Sequence, residues 1–125
     1  MKSLAVLLAA AGLLCAAPAA AQDANLAPAD LADLQCMALV AVMAGIAMEE
    51  GGDGEATDAE LAGMSGGLMY YLGRLEGRSP GIDWLDQLVA LLDKIELEEL
   101  DAVAPRCSKE LMEKGQALVA FGGKS

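Results

Sequence analysis

Thirteen consecutive residues, Cys36 to Met48, carry no polar side chain. A helix that is apolar on every side has to be covered on every side. Thirteen residues also fall short of the ~20 that cross a bilayer. Two arrangements meet that demand. Either the segment is the central helix of a bundle, or one of its faces packs into the fold while another meets a partner. In the second case Met37, Val40, Met43, Ile46 and Met48 are the candidate docking side chains.

The run belongs to a helix expected over 29–48, with Pro28 suited to its first turn and Gly51 to its stop. The rest of the chain reads the same way. Val, Ile and Thr contribute nine residues to positions 22–125, where Ala and Leu dominate, the reverse of what a sheet wants. Pro28, Gly51-Gly52-Asp53-Gly54, Ser79-Pro80-Gly81, Pro105 and Gly122-Gly123 punctuate the chain. They divide it into four helical segments, or five if the last is split. The expectation is one all-α domain over 22–125.

Thr57 and Glu60 form a capping box that opens the second helix. Leu61, Met64, Leu68, Leu72 and Leu75 recur at three- and four-residue steps and make its core face. Gly63, Gly66, Tyr70 and Gly73 fall on the opposite side. Each helical glycine costs about 1 kcal/mol relative to alanine, so Gly63, Gly66, Gly67 and Gly73 call for a reason. A neighbour approaching the second face is one, a helix meant to open under stress is another, and compositional bias is a third. The third helix is expected over 83–95, with Trp84, Leu85, Leu88, Val89, Leu91, Leu92 and Ile95 inward. Asp86, Gln87, Asp93 and Lys94 would face out. The final segment, 96–121, carries Leu97, Leu100, Val103, Leu111, Leu118 and Phe121. Pro105 should interrupt it just before Cys107.

Residues 1–21 read as an export signal. Lys2 supplies the positive charge, Leu4 to Leu14 the apolar stretch, and Ala19 and Ala21 the small residues before cleavage at Gln22. The alternative is an uncleaved anchor over 3–22; cleavage would leave no stable membrane span. Export places the chain in the periplasm or outside the cell. There Cys36 and Cys107, the only remaining thiols, are expected to join. No CxxC spacing favours a redox pair.

Residues 22–125 hold seven Lys/Arg against nineteen Asp/Glu, a net −12, so nucleic acid is not an expected partner. The chain has no histidine, which removes the commonest general base and most zinc and copper sites. Neither GxGxxG nor GxxxxGK[ST] occurs. The acidic turn 49–60 matches a calcium loop at Asp53, Gly54 and Glu60 but has Gly51 at a ligand position. Five methionines between Met37 and Met69 lack the clustering of a copper(I) carrier. No enzyme, cofactor or metal is expected. Tyr70-Tyr71-Leu72-Gly73-Arg74-Leu75-Glu76-Gly77-Arg78 is the most distinctive stretch. Arg74 and Arg78, one helical turn apart, either pair with nearby carboxylates or form a small cationic spot for an anionic partner.

Cys36, the Tyr-x-x-Gly-Arg-x-x-Gly-Arg segment from Tyr70 to Arg78, and Cys107 together resemble a group of small exported helical proteins of alphaproteobacteria, especially sphingomonads. That resemblance implies no activity. More distantly, a single disulfide in an exported helical domain of this size is similar to the HdeA/HdeB type of periplasmic acid-stress chaperone. It implies a homodimer that loosens in acid and binds denatured clients through apolar surface. Protonating nineteen carboxylates would take the charge of 22–125 from −12 toward +7. Acid repulsion would then open the glycine-weakened second helix and uncover Cys36–Met48. The expected function is an exported protein-binding domain, chaperone-like under acid or envelope stress. The alternatives are a partner-specific interaction protein with no stress role and a small-molecule or metal carrier.

Overall fold

The computed structural model describes residues 26–49 and 57–124. The proposed signal and the loop Gly51–Gly54 lie outside them. Four helices follow in order: α1 (Pro28–Glu49), α2 (Asp58–Arg78), α3 (Trp84–Leu92) and α4 (Leu97–Gly122). No strand occurs among the described residues. The capping box forms as spelled: Thr57 Oγ1 accepts from the Glu60 amide, and Glu60 Oε2 accepts from the Thr57 amide at 2.7 Å. Those bonds, the backbone one first, hold the Glu60 carboxyl below its usual range.

The helices assemble around the first half of α1. Leu34, Cys36, Met37 and Val40 meet Tyr71 and Leu75 of α2, Trp84 of α3 and Cys107 of α4. Cys36 and Cys107 are joined, with their Cα atoms 5.4 Å apart. Such a bridge belongs to an oxidising compartment. Contacts fix the directions. Arg78 lies beside Asp30 and the backbone of Gly67 beside Val40, so α2 is antiparallel to α1. Arg106 reaches Ala32, Cys107 joins Cys36, and Leu111 meets Gly67, so α4 is parallel to α1. By length and composition α1 could also cross a membrane. Here it touches all three other helices, and its buried aspartates are ion-paired.

Three local expectations are corrected. α4 runs unbroken through Pro105. The missing amide strands only the Asp101 carbonyl, and Asp101 and Pro105 both lie at the surface, where water takes over. The phase of α3 is also rotated. Asp83 caps it by accepting from the Asp86 amide, and Trp84 is driven inward with its indole N–H on the Ser79 carbonyl at 3.2 Å. Trp84 sets the buried face, so Gln87 follows it inward while Leu85 and Val89 turn out to solvent. Finally, α3 stops at Leu92 rather than at Ile95, closed by a turn in which the Ile95 amide donates to the Leu91 carbonyl.

Candidate functional site

The apolar run of α1 is divided, not wholly covered. Met37 and Val40 are buried in the core, whereas Met43, Ile46 and Met48 are 51–74% exposed. Gly63 and Gly66 are exposed, and a Cβ at either, or at Gly73, would meet open space. Close approach happens at Gly67 instead. A Cβ there would lie 3.4 Å from Leu111 Cδ1 and 3.5 Å from Val40 Cγ1. Gly67 is the point where α1, α2 and α4 converge.

Beyond Leu111, α4 has no packed face. Exposure rises from 63% at Met112 to 79% at Phe121, with Leu118 and Val119 between. Of the apolar residues that 96–121 carries, Leu100 is buried, whereas Leu97, Leu118 and Phe121 are exposed. Because α4 parallels α1, this segment points toward the same end of the bundle as Met43–Met48. Seven large apolar side chains are thus exposed on two helices. Each keeps more than half of its surface in water. The sequence held one signal for it: the apolar spacing of α4 continues through Leu118 and Phe121.

The two arginines are engaged within the chain. Arg78 Nε donates to Asp30 Oδ1 at 2.7 Å, and its Nη2 donates to Asp33 Oδ2. Arg74 Nε lies 3.1 Å from Asp33 Oδ2, and its Nη1 bonds Glu110 and the Tyr70 hydroxyl. Tyr70 in turn donates to Glu110 at 2.9 Å, its ring beneath the Arg74 guanidinium at 5.5 Å. Asp30 also accepts from Ser79 Oγ at 3.1 Å. Asp30 and then Asp33 make Arg78 hold its proton more tightly than usual. With three carboxylates to two guanidiniums the cluster carries a net −1. It is a clamp fastening the start of α1 to the end of α2 and to α4.

Tyr71 lies behind the clamp, fully buried, its hydroxyl donating to the Cys107 carbonyl at 3.4 Å. Burial first, then Tyr70 and Asp33, push its ionisation above the ordinary phenol range. The folded chain therefore keeps this proton to higher pH than the unfolded chain. Stability is complete below about pH 10 and falls as pH rises through the raised value. Tyr71→Phe should flatten that alkaline loss. Melting temperatures from pH 8 to 11 that decline equally in both proteins would refute the assignment.

Between α1 and α3 lies an apolar recess of about 170 Å³, lined in part by Leu31, Leu34, Ala90 and Leu91. Ordinary ligand pockets hold ~300–1,000 Å³. The geometry thus offers far more external apolar surface than enclosed volume, which suits docking of another polypeptide. Comparison of the chain with protein-family models, curated proteins and solved structures gave no match.

Proposed function

We propose that this is a periplasmic or secreted protein-binding domain that acts by docking and catalyses no reaction. The observation that carries the reading is the exposed group Met43, Ile46 and Met48, continuous with the buried half of the same helix. Methionine-rich surface adapts to partners of varied shape. The clamp and the disulfide hold the opposite end, so the docking end is presented by a firm base.

At pH 7 the oxidised protein should suppress aggregation of a reduced, unfolded test protein. Replacing Met43 and Ile46 together by Asp should weaken suppression roughly tenfold or more, the effect of losing anchoring apolar side chains. Both are half exposed, so the fold should survive. Equal suppression by the two proteins would sink the reading.

A second reading, activity set by acid, is favoured by one observation: Asp30 and Asp33 are buried against arginine. Protonating them leaves Arg78 without its counter-charges and Arg74 with Glu110 alone, and loosens the base rather than α2 alone. If so, the protein expands in acid and its suppression rises. A sedimentation coefficient unchanged from pH 7 to pH 2 would leave the constitutive reading.

A further inference from the structure

We propose that α4 beyond Leu111 is the seam of a homodimer, in which a second copy lays the same segment antiparallel against it. The proposal rests on the reading that the apolar end docks protein, and it adds the occupant and the pairing. Leu100, Cys107 and Leu111 face the bundle along α4. Continuing the same three- and four-residue steps gives Gly115, Leu118 and Gly122, a seam of the kind two helices share. Met112 and Val119 flank it on one side, Lys114 and Phe121 on the other. Within one chain a Cβ on Gly115 would meet nothing within 4 Å.

Charge selects the occupant. The whole chain is net −11, yet residues 111–122 carry one acid, Glu113, and one base, Lys114. Two acidic copies can approach there without stacking like charge. The glycines argue against a lipid surface, because they remove apolar area and weaken the helix by about 1 kcal/mol each. They are useful where a side chain of another helix fits against the backbone. This segment supplies such side chains itself. A two-fold axis between Gln116 and Ala117 sets Leu118 of each copy against Gly115 of the other, so one symmetric pairing puts leucine opposite glycine at the centre of the seam.

The four exposed side chains and their rim amount to roughly 600 Å² per copy, at the small end of specific interfaces. Association should therefore depend on concentration. Sedimentation equilibrium of the oxidised protein at pH 7 should show one chain near 1 µM passing to two by about 100 µM, the regime of such small interfaces. Gly115→Leu and Leu118→Asp should each raise the midpoint at least roughly tenfold. Neither should lower the melting temperature of the monomer, since both positions are open in a single chain. Replacing Met43 and Ile46 by Asp should leave the dimer intact, so the two readings fail separately. Mass that stays at one chain would overturn the seam, as would a dimer indifferent to both α4 substitutions. Monomer that binds phospholipid vesicles through Leu118 would assign the face to a membrane and overturn it as well.

Discussion

Reduction of Cys36–Cys107 is expected to remove about 4 kcal/mol of stability, the chain-entropy value for a loop closed across 71 residues. Ordinary domains have ~5–15 kcal/mol in total, so the reduced protein should be largely or wholly unfolded at 37 °C. The location enlarges the effect. Both sulfurs are buried in the core, and α4 meets the rest of the fold along only part of its length. Denaturant midpoints with and without reductant, and of Cys36→Ser, measure this. A reduced protein that melts with the oxidised one would show that helix packing alone holds the fold.

Asp33→Ala should be nearly as damaging. Asp33 is 2% exposed and ion-paired with both Arg74 and Arg78, so one substitution takes a carboxylate from two guanidiniums at once, leaving them Glu110 and Asp30 respectively. Removing one partner of a fully buried pair costs about 3–5 kcal/mol. Here the arginine side chains keep 37% and 35% of their surface in water, which screens the loss to roughly 2–3 kcal/mol. Asp33→Asn separates charge from shape, because it imitates protonation at constant pH. If it weakens the fold as much as alanine does, charge is the active component and acid will act through this residue. A denaturant midpoint that neither variant shifts would reduce the clamp to surface ornament.

What could be read from sequence follows from the range of each interaction. The helical class, the Thr57–Glu60 box and the inward Trp84 depend on neighbours within a few positions, and all are found as spelled. The Cys36–Cys107 pairing was legible because two thiols allow one intramolecular bridge. The partners of Arg74 and Arg78 were not, since Asp30 and Asp33 lie more than forty positions away and nothing local points to them. Glycine spacing marked a face of α2 without saying which glycine would be approached. Gly67 was singled out only by the convergence of Val40 and Leu111. The same holds for the end of α4, where spacing specified an apolar face but not whether anything in the chain packs on it.

The bridge between α1 and α4 has a consequence for the order of events during synthesis. A chain emerging from its N-terminus delivers Cys36 long before Cys107, with 71 positions between them. At ~5–20 residues per second the apolar half of α1 waits several seconds, roughly 4–14, before its last covering helix arrives. During that interval the stretch that nucleates the core is also the stickiest one. Folding is therefore paced by completion of the chain rather than by the speed of helix formation. Any cell making this protein must shield that segment in transit until the sulfur link can be sealed.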